Sequence, residues 1–144
     1  MKLFQATLGY ALRILYFLDK NEKRVVAGPE IAATLGISYK YLLKVSSKLI
    51  KENMIASEQG RDGGYRLLKQ LEDISVFDVI NAIEGSILLY KTPKGLQKYA
   101  GEYEIVECFT EIQNQLESYL KNISVKTLFF EKNCVPLFEG GRAG

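Results

Sequence analysis

Apolar residues recur every three or four positions over the first 20 residues of the chain, from Leu3 to Leu18. This spacing places an apolar side on a helix, so it predicts an amphipathic first helix that ends near Lys20. A polar break follows this helix. Residues 25–27 are β-compatible but too few for a helix, and they predict a brief strand.

Two further helices are predicted between residues 28 and 53. Pro29 suits the first position of a helix, where its missing N–H group costs nothing. Gly36 is the residue type best suited to end that helix in a left-handed cap. Ser38 then provides an N-cap for a third helix, which we expect to run to about Asn53.

A hairpin is predicted after the third helix. Residues 54–57 and 65–68 are short β-compatible runs, and the seven residues between them include three glycines. Glycine adopts positive φ angles without steric cost, so this composition is typical of a tight hairpin tip.

The second half of the chain predicts a short helix, a loop and a long helix. Ser75 and Asp78 form a capping-box pattern for a fourth helix that ends at Gly85. Residues 86–101 include a proline and two glycines and predict a loop. A long helix is expected over residues 102–122, and Ser124 can cap a short segment that runs to residue 131.

The order helix, strand, helix, turn, helix and glycine-tipped hairpin is the plan of a winged helix-turn-helix. We therefore predict a mostly α fold with a small β-hairpin wing and a long C-terminal dimerisation helix. The predicted division is a DNA-binding domain at residues 1–85 and a candidate signal-responsive loop at 86–101. A dimerisation helix with a short following segment occupies 102–131, and a tail at 132–144 is expected to be disordered.

Lysines occupy one side of the predicted third helix. At about 100° per residue, four of them fall within about 80° of one another, and the apolar residues lie on the other side. Like charges four residues apart destabilise an isolated helix, so this side favours an anionic partner such as the DNA phosphate backbone. A merely solvated face is the alternative. The four residues are Lys40, Lys44, Lys48 and Lys51.

The first turn of a recognition helix enters the major groove deepest, so it is expected to contact base edges, with phosphate contacts further along. Tyr41 fits base contact and core packing equally well, and both readings stay open. Arg61 at the hairpin tip is expected to contact phosphate or enter the adjacent groove. The candidate DNA-binding residues are Ser38, Tyr39, Lys40, Tyr41, Lys44, Lys48, Gln59, Gly60, Arg61, Gly63 and Gly64.

An apolar stripe follows the long helix, with its members within about 60° of one direction. Such a stripe can pack on its own chain or pair with a second copy across a two-fold axis, and we predict the second. Its members are Ile105, Phe109, Ile112, Leu116, Tyr119, Leu120 and Ile123. Cys108 at its edge is expected to be a small buried residue, with a redox thiol as the alternative, and Cys134 is the other candidate thiol.

The composition of the chain argues against several kinds of catalytic and metal site. The 144 residues include no histidine and two cysteines. Catalytic triads need an imidazole base, and structural zinc needs about four Cys or His ligands. We therefore expect no enzyme, no metal site and no cofactor. No apolar run is long enough to span a membrane, and the N-terminus lacks a secretory pattern, so a cytoplasmic location is predicted.

The net charge of +2 is unevenly distributed. Residues 1–69 contain twelve Lys or Arg against six Asp or Glu, whereas residues 70–144 contain seven against eleven. A basic first half favours a polyanion-binding face there, although a chance partition of surface charge is the alternative.

The first 85 residues contain, in order, the motifs Tyr10-Ala11-Leu12, Gly36-Ile37-Ser38, Gly63-Gly64-Tyr65-Arg66-Leu67 and Ala82-Ile83-Glu84-Gly85. Together these motifs resemble the Rrf-two family of bacterial transcription regulators. The resemblance continues more weakly into the long helix. It implies a homodimer that binds a palindromic operator, usually as a repressor, with the long helix as the dimer interface.

Two departures from that family bear on function. Members that sense through an iron–sulfur cluster place three cysteines between the fourth helix and the long helix, and residues 86–104 contain none. We therefore expect no such cluster and place the chain with the cluster-free branch. Gln59 stands where an arginine often precedes the first wing glycine, so the family's wing contacts are not carried over.

The sequence thus predicts a dimeric, sequence-specific DNA-binding repressor whose effector, a small molecule or a protein, is unidentified. The alternative is a protein-interaction module that has lost DNA binding and docks a partner through its long helix. A steep salt dependence of duplex DNA binding would favour the first.

Overall fold

The computed structural model describes residues 1–132. The predictions for Cys134 and for nearly all of the tail at 132–144 lie outside the described residues. In chain order the elements are α1 (Ala6–Lys20), α2 (Gly28–Leu35), α3 (Tyr39–Lys51), β1 (Ile55–Glu58), β2 (Gly64–Leu67), a 3₁₀ turn (Leu71–Asp73), α4 (Val76–Glu84), α5 (Glu102–Lys121) and α6 (Val125–Phe130).

Local capping explains where the helices begin and end. Gly36 ends α2 with a left-handed φ of 68°. The Ser38 hydroxyl accepts a hydrogen bond from the Tyr41 N–H group at 3.1 Å and so begins α3. Ser75 and Asp78 form both hydrogen bonds of a capping box at the start of α4, each 2.9 Å long. The capping predictions are confirmed at these three positions.

The two strands pair antiparallel, with Ile55 opposite Leu67 and Glu58 opposite Gly64. The brief strand predicted at residues 25–27 is a single bridge, in which Val26 and Tyr65 exchange backbone hydrogen bonds of 2.9 and 2.8 Å. A side chain at Gly64 would collide with the Val26 carbonyl, so a glycine is needed for this close approach.

Helices α1 to α4 and the hairpin enclose one hydrophobic core. Its fully buried side chains include Ile14 and Leu15 from α1, Val45 and Leu49 from α3, and Ile55 from β1. Leu43 is the exception on α3. The helical pattern placed it on the buried side, but its side chain is exposed because it lies at the margin of that side.

After α5 the chain returns to the core. The Val76 N–H group donates to the Ile123 carbonyl and the Val125 N–H group donates to the Ile74 carbonyl, both at 2.8 Å. Phe129 of α6 then packs on Tyr16 of α1, with ring centroids 4.7 Å apart. The chain that follows α5 is therefore attached to the same core.

None of the helices in residues 1–132 combines the length and the apolar character needed to cross a membrane.

Candidate nucleic-acid interface

The outer face of α3 is cationic and open to solvent. Lys40, Lys44 and Lys51 are exposed, and α3 has no acidic residue along its length. The apolar side of the same helix is buried in the core through Leu42, Val45 and Leu49 among others. The helix therefore presents positive charge outward from a rigid support.

Lys48 does not belong to this open face. Its Nζ donates a hydrogen bond to the Ile83 carbonyl at 3.2 Å, and the side chain is half-buried. The last carbonyls of a helix lack intrahelical partners and carry partial negative charge, so they attract an amine. In this arrangement Lys48 holds α3 against the end of α4, and its phosphate contact stays a prediction.

Tyr41 faces α1 and contacts it through both its hydroxyl and its ring. Its hydroxyl lies 2.7 Å from the Thr7 hydroxyl, and its ring meets the Tyr10 ring edge-on at 5.7 Å. The side chain is half-buried. Of the two readings left open by the sequence, these contacts favour packing.

Tyr39 stands at the first position of α3 and is 47% exposed. Its ring lies against Gly28, where an added Cβ would come within 2.6 Å of the Tyr39 ring and 3.3 Å of the Tyr65 ring. Burial, and to a lesser extent the nearby Tyr39 hydroxyl, raises the pKa of Tyr65 above its usual value of 10.0. The absence of a side chain at Gly28 thus leaves room for the Tyr39 and Tyr65 rings. Sequence reasoning used Gly28-Pro29 only as the start of a helix and missed this role.

The hairpin tip offers an exposed arginine. Gln59, Gly60 and Arg61 are exposed, and Gly60 adopts a φ of 106°, which favours glycine. A side chain at Gly63 would collide with the Glu58 carbonyl. Gly63 and Gly64 are half-buried, so their part at the tip is to set the path of the backbone.

An ion pair that sequence reasoning missed braces the hairpin. Arg66 Nε donates to Glu58 Oε1 at 2.7 Å. The two residues stand on opposite strands, on a cross-strand diagonal within reach of long side chains. Because both are about half exposed, the pair stabilises the hairpin only slightly.

The apolar stripe of α5 divides into two parts. One side meets the chain's own loop, since Phe109 stacks on Tyr90 at 5.6 Å and Gln113 Oε1 accepts from the Leu89 N–H group at 3.0 Å. Ile105 and Ile112 stay exposed, at 41% and 48%. The stripe residues nearer the C-terminus, Leu116, Tyr119 and Leu120, are half-buried.

Two predictions for this part of the chain require correction. Ile123 lies beyond the end of α5 and is only 7% exposed, because it packs in the core of its own chain. We therefore remove it from the candidate dimer interface. Cys108 was expected to be buried, but it is exposed, because it lies on the side of α5 that the loop does not cover.

A buried carboxylate begins α5. Glu102 is 8% exposed, and both of its carboxylate oxygens accept from the Tyr90 hydroxyl at 2.9 Å. Burial and the hydrogen bond to the Glu102 carboxylate raise the pKa of Tyr90 above its usual value of 10.0. The pair ties the loop at residues 86–101 to the first turn of α5.

A helix-turn-helix with a cationic second helix, joined to a glycine-tipped β-hairpin, defines the class of winged helix-turn-helix proteins. The chain matches the family described as Rrf2, iron-dependent transcriptional regulator, over residues 4–131. It therefore belongs to the Rrf2 (Rrf-two) family of transcriptional regulators, which are not enzymes.

Individual relatives agree with this assignment. The chain is 34% identical to the HTH-type transcriptional regulator NsrR of Bacillus licheniformis over 115 residues, covering 79% of this chain and 68% of the relative. It is 31% identical to IscR of Vibrio atlanticus, covering 81% and 68%. The structure of CymR, the global cysteine regulator of B. subtilis, shares the fold with a TM-score of 0.73 at 23% identity, covering 92% of this chain and 100% of CymR.

The family is described as iron-dependent, which raises the question of whether the side chains of this chain can hold iron. Within residues 1–132, no group of three or more His, Cys, Asp or Glu side chains is arranged to hold a metal ion. The loop before α5 contains neither cysteine nor histidine, and Cys108 stands alone on the outside of α5. Iron–sulfur clusters are held by several thiolates, so the described residues do not fit one.

Proposed function

We propose that the chain is a homodimeric repressor that binds a palindromic DNA operator through α3 and the hairpin tip. The observation that carries the proposal is the exposed cationic face of α3, with Lys40 and Lys44 outward and Leu49 buried behind them. The closely spaced phosphates of the DNA backbone are suitable partners for such a cationic face. In a dimer the two α3 helices would reach half-sites about 34 Å apart or a multiple of that spacing.

Within this proposal the residues have separate roles. Ser38, Tyr39 and Lys40 occupy the start of α3 and would contact base edges. Lys44 lies one turn further along and would contact phosphate. Gln59 and Arg61 would contact the adjacent groove from the exposed hairpin tip.

The dimer and the domain division are part of the same proposal. Residues 1–85 form the DNA-binding domain, residues 86–101 the signal-responsive loop, and residues 102–131 the dimerisation segment. The exposed apolar residues of α5, Ile105, Phe109 and Ile112, support this, since apolar patches on a regulator mark protein interfaces. Membership in a family of transcriptional regulators supports a cytoplasmic location. We propose that the effector is a small molecule or a protein.

The test is the salt dependence of DNA binding. A duplex selected from a random library by the purified protein is titrated at several salt concentrations, using fluorescence anisotropy. Replacing Lys40, Lys44 and Arg61 with Ala should abolish high-affinity binding and reduce the log–log salt slope by about 0.9 for each phosphate that is no longer neutralised. The matched control replaces the exposed Lys23, Lys91 and Lys126 with Ala and should bind nearly as the wild type does.

Two outcomes would contradict the proposal. In the first, the triple variant at α3 and the hairpin binds the duplex as tightly as the wild type. In the second, wild-type affinity is unchanged by salt. Either result would favour a protein-docking module that uses the exposed apolar residues of α5.

A further inference from the structure

Tyr39 is the first residue of the cationic helix α3, and its ring lies at the surface of the chain. The side chain is exposed, and it directly follows Ser38, the residue that caps the helix. An exposed side chain in the first turn of a helix is ordinarily able to change rotamer. Two neighbours of Tyr39, the residues Gly28 and Tyr65, restrict that choice.

Gly28 is the first residue of α2, and the Tyr39 ring occupies the space beside it. A Cβ at this position would lie 2.6 Å from Tyr39 Cε1 and 3.3 Å from the Tyr39 hydroxyl oxygen. The backbone itself does not need a glycine here, because the φ of Gly28 is not in the left-handed region. The space left by Gly28 therefore serves the Tyr39 ring and not the entry to the helix.

Tyr65 lies on the other side of this space. The same Cβ would come within 3.3 Å of Tyr65 Cε2, so the rings of Tyr39 and Tyr65 meet at Gly28. The Tyr65 backbone exchanges two hydrogen bonds with Val26 on one side and is paired with Ser57 of β1 on the other. Because its backbone is held on both sides and its side chain is buried, Tyr65 is a fixed support for Tyr39.

Tyr65 also approaches the middle of α3. Ser46 is 1% exposed, and its hydroxyl makes no hydrogen bond of good geometry with any described residue. Burial raises the pKa of Tyr65, and the Ser46 hydroxyl lies close enough to act against that rise. Tyr65 is therefore near α3 at two places, at Tyr39 in the first turn and at Ser46 about two turns later. The hairpin and the start of α3 are thus held in a fixed relation.

We propose that Gly28 and Tyr65 are positioning residues for sequence recognition, which hold the Tyr39 side chain in one orientation toward a base edge. The inference rests on the base contact proposed for Tyr39 above. A side chain that is already held in its bound orientation loses less conformational freedom when it binds. Base contacts form only on the correct sequence, so this support raises the affinity for the operator. The phosphate contact proposed for Lys44 does not depend on it.

Gly28→Ala tests the proposal by displacing the Tyr39 ring without removing a heavy atom. Alanine also favours a helix more than glycine does, so α2 should still form. We expect binding to the selected duplex to weaken about tenfold, the size of one lost base contact. Binding to a scrambled duplex of the same length should change less than about twofold, and the salt slope should stay at its wild-type value, because no phosphate contact is lost. Fluorescence anisotropy measures all three.

Changes at Tyr65 remove the support instead of filling the space. Tyr65→Leu should lower the ratio of selected to scrambled binding, whereas Tyr65→Phe keeps the ring and should retain the wild-type ratio. Leu71→Ala controls for a loss of stability, since Leu71 is buried in the 3₁₀ turn that packs on α1 and α6. This variant should be less stable than wild type and still keep the wild-type ratio. Circular dichroism checks that each variant is folded.

A double-variant cycle shows whether Gly28 and Tyr65 act through Tyr39. Tyr39→Ala alone should lower the ratio about tenfold. Adding Gly28→Ala or Tyr65→Leu to it should lower the ratio no further, because the side chain that they position is already absent. A second measurement needs no DNA: a fluorotyrosine placed at position 39 gives a single fluorine NMR signal. That signal should shift in Gly28→Ala and Tyr65→Leu and stay in place in Leu71→Ala.

The outcomes separate the support of Tyr39 from the proposed function. If Tyr39→Ala weakens operator binding while Gly28→Ala and Tyr65→Leu bind as wild type does, the inference is overturned and the DNA-binding proposal stands. Additive losses in the cycle, or a fluorine signal that is the same in every variant, also overturn it. If Tyr39→Ala keeps the wild-type ratio, there is no base contact to position. A wild type that binds the selected and scrambled duplexes equally overturns both the inference and the proposed function.

Discussion

Helices α3 and α5 are both amphipathic, but the chain leaves opposite sides of them exposed. On α3 the apolar side is covered by α1, α2 and α4, and the lysines face solvent. On α5 the loop covers only part of the apolar stripe, and Ile105 and Ile112 stay exposed. An exposed charged side favours a polyanion, whereas an exposed apolar side favours another protein surface. The side of an amphipathic helix that its own chain leaves exposed therefore indicates the kind of partner that the helix binds.

The largest expected effect compares one apolar residue from each helix. Leu49→Ala on α3 opens a cavity in the core and should lower the free energy of unfolding by about 2–5 kcal/mol. Ile112→Ala on α5 should change it by less than about 0.5 kcal/mol in the monomer and weaken the dimer instead. Urea melts at concentrations where the chain is monomeric, with sedimentation velocity, check both. If both variants lowered the free energy of unfolding of the monomer equally, the apolar sides of α3 and α5 would not differ in this way.

A smaller loss is expected in the hairpin that accompanies α3. Gly64→Ala places a Cβ against the Val26 carbonyl, so the bridge between Val26 and Tyr65 must open or shift. We expect the free energy of unfolding to fall by about 1–3 kcal/mol in urea melts. Ser57→Ala, at an exposed position of β1, is the control and should fall within about 0.5 kcal/mol of wild type. If Gly64→Ala unfolds at the same urea concentration as the wild type, the hairpin does not need its close approach to Val26.

The capping box lies between the two regions, because α4 packs against both α3 and α5. Ser75→Ala removes the hydroxyl that accepts from the Asp78 N–H group and should cost about 1 kcal/mol of unfolding free energy. Ser86→Ala, at an exposed position after α4, should cost little. If both variants melt alike, capping contributes nothing measurable to α4.

The smallest effect concerns the loop that covers part of α5. The pKa of Tyr90 is raised, so the folded chain favours its neutral form. Its contribution to stability is complete below pH 10.0, the usual pKa, and is lost as pH rises through the higher pKa of the folded state. Tyr90→Phe should therefore lose less stability than wild type as pH increases above that value, in urea melts over a pH series. Parallel losses in the two proteins would contradict this assignment.

The sequence predicted the order of elements because caps and periodicity are local. Ser38, Ser75 and Gly36 each act on backbone groups within a few residues, so their effect can be read from the chain. The face of α3 was also predicted, since its lysines share one side. The division of α5 was not, because it depends on Tyr90 and Leu89, which reach α5 from a loop without periodicity.

The residues whose contacts the sequence did not predict share the same origin. Lys44 and Lys48 share one side of a helical wheel, and the position of the Ile83 carbonyl gives Lys48 a contact that periodicity does not predict. Tyr41 differs from Tyr39 because Thr7 lies opposite its hydroxyl. Ile123 continued the periodicity of α5, although the helix ends at Lys121 and the chain turns back into the core. In each case the surroundings of the residue depend on groups distant in the sequence.

The paired backbone hydrogen bonds between residues 74–76 and 123–125 have a consequence for chain length. They fix the two ends of the segment that contains α4, the loop and α5, so extra residues in the exposed stretch 93–100 need not displace α6. Closing a flexible loop costs only about 0.6 kcal/mol more for each doubling of its length. This stretch is therefore a suitable place to insert a peptide tag or a fluorescent label, and a place where homologues can differ in length without a change of fold.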